Sequence, residues 1–284
     1  MSFAIQSVEL PNGPELHYVE QGDRSGTPVV LLHGTTDSWR SFEPVLQHLP
    51  PSVHAFALTQ RGHGDSGRPA QGYGPRDFAG DAAKFMDLLE IGSAVIAGHS
   101  MGASIAQRFA LDHPERTLGL VLLAALGCWR RNPDVMELWT TAVSTLADPV
   151  DAGFVRAFQQ STVAQPIPPG LLDTAVRDSL KVPARVWRTT FEAFLQDDFS
   201  EELGRIRAPA LIVWGDADAL CPRATQEELL RAIAGSQLVV YEDAGHAMHW
   251  EEPARFAADL VAFTRTLSDR RAARAAYAIA PATA

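Results

Sequence analysis

A serine between two glycines is the first indication of chemistry in this chain of 284 residues. Gly98 and Gly102 lie two residues on either side of Ser100, where the apolar run 94–97 gives way to helical spacing. A sharp turn from a strand into a helix strains the backbone at the serine and leaves no room for side chains beside it. The pattern therefore predicts a nucleophilic serine, exposed above the edge of a sheet.

Two backbone amides are predicted to stabilise an oxyanion near this serine. The N–H of Met101 would open the helix that follows Ser100, where the positive end of the helix dipole helps to hold a negative charge. A second donor is predicted at Thr35, because Gly34 follows a buried strand and permits a close backbone approach. The alternative is that Ser100 only caps the helix, a common role for serine, but that role leaves both flanking glycines unexplained.

Candidates for a base and an acid follow two later strands. Asp216 and Asp218 both come directly after one buried strand, and His246 and His249 come after the next. A serine hydroxyl needs a base to take its proton, and a histidine base needs an acid to hold its tautomer. His246 is preferred to His249 because it follows a glycine at the end of its strand. The residues alone leave Asp216 and Asp218 as alternatives for the acid.

Strands and helices alternate along the chain, as a mostly parallel doubly wound α/β sheet requires. The alternation stops after a strand predicted over 118–126, and the sheet pattern returns only at 208–214. The intervening stretch has helical segments separated by prolines. The sequence predicts a core formed by residues 1–126 and 205–268, an inserted helical cap over 127–204, and a tail over 269–284 that extends the last helix and frays at Pro281.

Composition limits the kinds of partner that the chain can have. The formal net charge is -10 and the pI is near 5.3, whereas nucleic acids and anionic membrane surfaces attract basic patches. The N-terminal residues lack a basic region followed by an apolar core, so no signal peptide is expected, and the two cysteines show no metal-binding spacing. We expect a cytoplasmic monomer or homodimer that acts on a small molecule and binds neither nucleic acid nor a membrane.

Taken together, these motifs resemble those of α/β-hydrolase fold enzymes with a helical cap, and the resemblance extends over residues 8–266. It implies Ser100 as nucleophile, His246 as base and Asp218 as acid, since the acid of that family lies three residues after the glycine at 215. It also implies Thr35 and Met101 as the oxyanion donors, with no metal and no organic cofactor. The matching motifs are His33-Gly34, Arg61-Gly62-His63-Gly64-Asp65-Ser66, Gly98-His99-Ser100-Met101-Gly102, and Gly215-Asp216-Ala217-Asp218 with Gly245-His246.

One position departs from the family pattern. Thr59 stands two residues before Arg61, where the family usually has an aspartate, and this puts the anchoring of that loop in question. His33, in contrast, is predicted to be structural: its ring packs under the loop and hydrogen-bonds to backbone.

The reaction predicted from this resemblance is hydrolysis of a small, largely apolar ester or lactone through an acyl-enzyme. Cleavage of carbon–carbon bonds in ring-fission products is an alternative, because Trp250 resembles a position in those enzymes, although their usual asparagine before the nucleophile is His99 here. A cofactor-free perhydrolase and a ligand-sensing protein that retains its triad are two further alternatives.

Aromatic residues in the helical segment are predicted to form part of the substrate pocket. An apolar wall with few polar groups is the usual arrangement for small-molecule sites. A closed cap also predicts that long lipid chains are poor substrates. The residues predicted to line the pocket are Trp129, Trp139, Trp187, His249 and Trp250.

Overall fold

The computed structural model describes residues 3–279, with side chains described up to residue 269. Over this part of the chain there are eight strands, and all eight join one sheet. They are β1 (Ile5–Glu9), β2 (Glu15–Gln21), β3 (Thr27–Leu32), β4 (Val53–Thr59), β5 (Ala94–His99), β6 (Thr117–Leu123), β7 (Ala210–Gly215) and β8 (Gln237–Tyr241).

The sheet has the order β1-β2-β4-β3-β5-β6-β7-β8. The pairs β1–β2 and β2–β4 are antiparallel, and every other neighbouring pair is parallel. β5 lies near the middle, and all six of its residues are buried, as expected for a parallel strand covered on both faces. This confirms the predicted mostly parallel α/β sheet.

The register of the central strands aligns the ends that carry the candidate residues. Leu32 of β3 pairs with Gly98 of β5, so the loop with Thr35 and the turn with Ser100 leave the sheet side by side. On the far side, β7 and β8 end together as well, because Gly215 pairs with Tyr241. Ligands in open parallel sheets bind outside these carboxyl ends.

Helices cover the sheet and fill the stretch between β6 and β7. The helix after Ser100 is buried on its apolar face, where Ile105 and Phe109 are both fully inaccessible; each such side chain contributes roughly 1.5–3 kcal/mol by leaving water. The α-helices within residues 3–279 are α1 (Glu43–Leu46), α2 (Pro75–Leu88), α3 (Met101–Asp112), α4 (Pro133–Thr141), α5 (Ala152–Gln160), α6 (Leu171–Ser179), α7 (Ala184–Gln196), α8 (Arg223–Ala232), α9 (Met248–Glu251) and α10 (Pro253–Ile279).

Four of these helices, α4 to α7, lie in the stretch where the sequence predicted only helical segments. We refer to them as the inserted helices. β6 ends at Leu123, earlier than predicted, because Ala124 has a φ of 47°, a left-handed conformation that an extended strand cannot include.

The last helix, α10, continues into the predicted tail as far as Ile279. The predicted fraying at Pro281 lies outside the described residues. No helix within residues 3–279 has the length and apolar character needed to cross a membrane.

Candidate active site

Ser100 lies on a strained turn between β5 and α3, with φ 53° and ψ -115°. A backbone of this kind costs on the order of 1–3 kcal/mol for a residue with a side chain. Both flanking glycines are required by their surroundings. A Cβ atom on Gly98 would lie 2.0 Å from the carbonyl oxygen of Gly102, and one on Gly102 would lie 2.1 Å from the carbonyl oxygen of Leu32.

Hydrogen bonds of the Ser100 backbone hold the turn, and the Ser100 side chain takes no part in them. Its N–H donates to the carbonyl of Leu123 at 2.9 Å, and its carbonyl accepts the N–H of Ala103 at 2.9 Å. The Ser100 hydroxyl makes no capping hydrogen bond to α3. The structure therefore contradicts the alternative in which this serine only caps a helix.

Asp218 and His246 form a buried pair at the ends of β7 and β8. The imidazole Nδ1 lies 2.9 Å from Oδ2 and 3.1 Å from Oδ1 of the carboxylate. Oδ1 also accepts the N–H groups of Leu220 at 2.8 Å and Cys221 at 3.0 Å. Burial raises the pKa of Asp218, but the charge of His246 and these hydrogen bonds outweigh it, so the net pKa is lowered. An ionised acid that holds Nδ1–H leaves Nε2 able to accept a proton.

The competing acid and histidine have other partners. Asp216 accepts the N–H of Asp243 at 2.6 Å, and thus bridges two loops at the surface. His249 is fully buried, with Nε2 3.0 Å from the hydroxyl of Ser41 and its ring 4.4 Å from that of His99. The structure places Asp218 against His246, and not Asp216.

Ser100 and His246 line the same narrow cavity, which measures about 40 Å³. Thr35 lines it too, and the amide of Thr35 has no hydrogen-bond partner among the described residues. Met101 begins α3 directly after the serine, so its amide lies at the first position of that helix, beside Ser100. The other lining residues are Gly34, Asp37, His99, Leu126, Trp129, Val135, Leu138, Phe158, Gln159, Thr162, Phe191, Leu220, Cys221 and Trp250.

Three residues predicted to line the pocket do not line this cavity. Trp187 is 1% exposed and packs its ring against Phe154 and Phe158, because its side of α7 faces the neighbouring inserted helices. Trp139 lies in a separate surface groove beside Met136. The third, His249, lies behind the ring of His99, as described above.

Two residues of this set, Trp129 and Trp250, do line the cavity. Trp129 donates its Nε1–H to the hydroxyl of Ser104 at 3.0 Å, which fixes the indole on the cavity wall. Trp250 donates its Nε1–H to the carbonyl of Ser41 at 2.9 Å. Both rings therefore have satisfied polar atoms and present apolar surface to the cavity.

The sequence did not identify two of the polar residues that line the cavity, Asp37 and Gln159. Asp37 lies on the loop that follows β3, two residues after the proposed oxyanion donor Thr35. That position could have identified Asp37 from the sequence, since an acid on such a loop lies at the carboxyl end of the sheet, where ligands bind. Gln159 had no such signal, because its place depends on how α5 packs over the sheet.

The loops around the site are anchored without the aspartate that the family pattern leads one to expect. Thr59 accepts the N–H of Trp39 through Oγ1 at 3.2 Å, and its carbonyl accepts the hydroxyl of Ser66 at 2.7 Å. His33 has the predicted structural role: its Nδ1 bonds to the carbonyl of Gly34 at 2.8 Å, and its Nε2 accepts the N–H of Gln60 at 3.0 Å.

One carboxylate joins the histidine loop to the inserted helices. Glu251 accepts the N–H of Gly245 at 2.8 Å through one oxygen, and the N–H groups of Ala164 at 2.5 Å and Gln165 at 2.9 Å through the other. A Cβ atom on Gly245 would lie 2.7 Å from the nitrogen of Ala164. This close approach fixes the backbone that precedes His246.

One group within the described residues has potential metal ligands close together. The ligand atoms of Asp218, Cys221 and His246 lie within 4.8 Å of one another. These atoms already have partners, since Nδ1 bonds to the carboxylate and the Cys221 thiol bonds to the carbonyl of Ala124 at 3.2 Å. Burial also raises the pKa of the thiol, which opposes the thiolate that a metal would need. The donor set favours a hydrogen-bonded acid–histidine pair.

The sheet order, the serine turn and the acid–histidine pair can now be compared with known proteins. A family model described as the alpha/beta hydrolase fold matches residues 27–253. This chain belongs to the alpha/beta hydrolase fold family. A non-heme chloroperoxidase from Streptomyces lividans is 29% identical to this alpha/beta hydrolase over 280 residues, which cover 92% of the chain and 99% of that relative.

Solved structures show the same fold. An esterase from Rhodococcus sp. ECU1013 matches with a TM-score of 0.81 and 25% identity, over 93% of this chain and 99% of its own. An esterase from Exiguobacterium antarcticum matches with a TM-score of 0.82 and 24% identity, over 91% of this chain and 98% of its own. Membership of a hydrolase family with such neighbours indicates that this alpha/beta hydrolase is an enzyme.

Proposed function

We propose that this alpha/beta hydrolase is a serine esterase or lactonase that forms an acyl-enzyme on Ser100. The observation that carries the proposal is a serine with a strained backbone in the same cavity as His246. The Nδ1 atom of His246 lies 2.9 Å from Oδ2 of Asp218. A positioned nucleophile, a base and an orienting acid are the parts that acyl transfer needs.

In the proposed reaction, the Ser100 hydroxyl adds to the carbonyl carbon while Nε2 of His246 takes its proton. The amides of Thr35 and Met101 stabilise the oxyanion, a contribution typically worth about 2.7–4 kcal/mol for each donor. When the tetrahedral intermediate collapses, His246 returns the proton to the leaving alcohol. Water then attacks the acyl-enzyme by the same route and releases the acid and the free serine.

The walls of the cavity suggest a small acyl or alcohol group. Most of the lining side chains are apolar, including Trp129, Leu138 and Phe191, and the free volume is only about 40 Å³. An apolar wall discriminates weakly, by about 1–3 kcal/mol for each methylene gained or lost. We therefore expect a graded preference for short acyl chains, with long lipid chains as poor substrates.

The experiment that tests this function combines turnover with labelling. A series of p-nitrophenyl esters of rising acyl length, together with small lactones, should be hydrolysed, and a serine-directed phosphonate should label Ser100. Labelling without appreciable turnover of any ester or lactone would favour a ligand sensor. Labelling of a different serine would exclude the proposed nucleophile.

A second candidate is perhydrolysis, favoured by the 29% identity with the non-heme chloroperoxidase. Hydrogen peroxide would replace water in the second step: a peroxide oxygen attacks the acyl carbon, the bond to the Ser100 oxygen breaks, and a peroxycarboxylic acid leaves. Formation of peracid from an ester and hydrogen peroxide, absent in Ser100→Ala, tests it. Ester hydrolysis without formation of peracid would exclude perhydrolysis and leave esterase activity as the function.

A further inference from the structure

One side of the cavity beside Ser100 is polar and has no part in the proposed acyl-transfer steps. Asp37, Gln159 and Thr162 line it, and we call these three residues the acceptor corner. Their exposed fractions are 4%, 2% and 6%. Buried polar groups of this kind are normally satisfied by hydrogen bonds, so their partners decide what the corner offers to a ligand.

The donors of the corner are used within the protein. Gln159 donates its Nε2 hydrogens to Oδ1 of Asp37 at 3.0 Å and to the hydroxyl of Ser179 at 2.8 Å. The Thr162 hydroxyl donates to the carbonyl of Gln159 at 2.7 Å. Ser41 donates its hydroxyl to Oδ2 of Asp37 at 3.2 Å.

These cavity-lining residues keep acceptor positions that no hydrogen bond within the described residues occupies. The amide oxygen Oε1 of Gln159 has no hydrogen-bond partner among the described residues. A carboxylate has about four lone-pair positions, and the hydrogen bonds from Gln159 and Ser41 occupy two on Asp37. The Thr162 oxygen, having donated its hydrogen, keeps its lone pairs. The corner therefore favours a ligand group that can donate a hydrogen bond.

The charge of the corner restricts that group further. None of the residues that line the cavity is Lys or Arg. Burial raises the pKa of Asp37 to about 7, opposed by the hydrogen bonds from Gln159 and Ser41 and assisted by the charge of Asp178. A substrate carboxylate here would face oxygen acceptors without a cation, and such burial of an unpaired charge is costly. A hydroxyl can donate to the carboxylate and can also accept from the protonated acid.

We propose that the acceptor corner binds a hydroxyl group of the substrate, so that the preferred substrates are hydroxy esters or hydroxy lactones with the hydroxyl close to the scissile carbonyl. This inference rests on the proposed function. The hydroxyl donates to Asp37 or Gln159, while the apolar wall contacts the carbon chain. An analogue without the hydroxyl leaves buried acceptors unpaired, which is why sites of this kind reject it.

The first test uses the unmodified enzyme and matched pairs of esters. Ethyl 3-hydroxybutanoate is compared with ethyl butanoate, and 2-hydroxyethyl butanoate with propyl butanoate. We expect kcat/KM to be on the order of tenfold or more higher for the hydroxylated ester in at least one pair, the size of one well-placed hydrogen bond. Equal or lower values in both pairs would overturn the proposal. So would a stronger preference for ethyl 3-aminobutanoate, because the corner would then select a cation.

The second test uses Asp37→Asn with Asp173→Asn as a control for the loss of one carboxylate. Asp173 on α6 does not line this cavity, and its carboxylate pairs with Arg156 at the surface. We expect Asp37→Asn to reduce the ratio of kcat/KM between the hydroxylated and plain esters about tenfold, and Asp173→Asn to leave that ratio unchanged. An equal loss for both members of each pair in Asp37→Asn would mean that Asp37 only supports the loop, and would overturn the proposal.

Failure of the proposed function would be recognised separately. Hydrolysis of p-nitrophenyl acetate that disappears in Ser100→Ala establishes the esterase whatever the ratios are. Without that activity the proposed function fails. With it, unfavourable ratios in the unmodified enzyme overturn the hydroxyl site alone, even where Asp37→Asn does not fold.

Discussion

The imidazole of His99 lies 3.0 Å from the main-chain carbonyl oxygen of His246 through its Nε2 atom. A carbonyl can only accept, so His99 carries its proton on Nε2, and its buried Nδ1 has no hydrogen-bond partner within the part of the chain that the structure describes. The residue that precedes the proposed nucleophile is thereby bonded to the backbone of the proposed base. Burial lowers the pKa of His99 to about 3, with a smaller contribution from the nearby His246.

This buried histidine should make the enzyme sensitive to acid. Its folded pKa lies below the value of about 6.5 in an unfolded chain, so between these two values the unfolded state binds more protons and stability falls as the pH falls. The loss is about 1.4 kcal/mol for each pH unit. His99→Asn should therefore show a smaller drop in unfolding free energy between about pH 6.5 and pH 5, measured by urea denaturation. Identical drops in both proteins would contradict this prediction.

Removal of the proposed nucleophile should greatly reduce catalysis without unfolding the protein. Ser100→Ala keeps the Cβ atom and removes only the hydroxyl, so we expect normal folding with a loss of kcat on the order of a thousandfold or more, since only the oxyanion donors remain. Steady-state hydrolysis of p-nitrophenyl acetate and circular dichroism measure the two effects. Full activity in a folded variant would remove Ser100 from the mechanism.

The two neighbouring aspartates provide a matched pair for the acid. Asp218→Asn should lower kcat by a large factor, on the order of a thousandfold or more, because the amide favours the wrong tautomer of His246. Asp216→Asn changes only a contact with the backbone of Asp243, and we expect nearly unchanged kcat. A reversed ranking of the two kcat values would assign the acid to Asp216.

Alanine substitutions of three tryptophans should distinguish residues of the cavity wall from residues packed between the inserted helices. Trp129→Ala should shift the preferred acyl length of p-nitrophenyl esters upward, because it enlarges the cavity, whereas Trp139→Ala should leave that profile unchanged. Trp187→Ala should mainly destabilise the fold, by roughly 3–5 kcal/mol, as other buried large-to-small changes do. A wild-type profile in a folded Trp129→Ala variant would show that the acyl chain binds elsewhere.

The carboxylate of Glu251 should matter for catalysis although it does not line the cavity. Glu251→Ala leaves the amides of Gly245, Ala164 and Gln165 without their shared acceptor, so the loop that carries His246 loosens. We expect kcat to fall about tenfold or more, because small misplacements of a catalytic group are costly, with little change in phosphonate binding before reaction. Glu252→Ala, at the neighbouring position, is the control and should keep wild-type kcat. Equal kcat values in the two variants would contradict a positioning role for Glu251.

The amino-acid sequence determined the sheet, the serine turn and the order of the candidate residues. These features depend on local chemistry. The glycines at 98 and 102 identify the turn in the sequence itself. A Cβ atom at either position would lie about 2 Å from a backbone oxygen, so only glycine fits there. The apolar runs of the parallel strands are equally local, since burial on both faces removes polar alternation.

Tertiary structure decided which of several similar residues meet. Asp216 and Asp218 are two residues apart on one loop, and only the packing of the loop after β8 placed His246 against Asp218. The family resemblance had favoured Asp218, whereas the pattern of residues alone had left both open.

Only the folded protein decided which of the candidate aromatic residues form the walls of the cavity. In the sequence, nothing distinguishes Trp139 and Trp187 from Trp129 as candidate pocket residues. In the structure, Trp139 lies in a surface groove and Trp187 is buried between the inserted helices. Asp37 and Gln159 are 122 residues apart in the chain and hydrogen-bond in the fold. The direction in which a helix presents its side chains depends on which faces the neighbouring helices cover, and the period of an apolar pattern does not specify that choice.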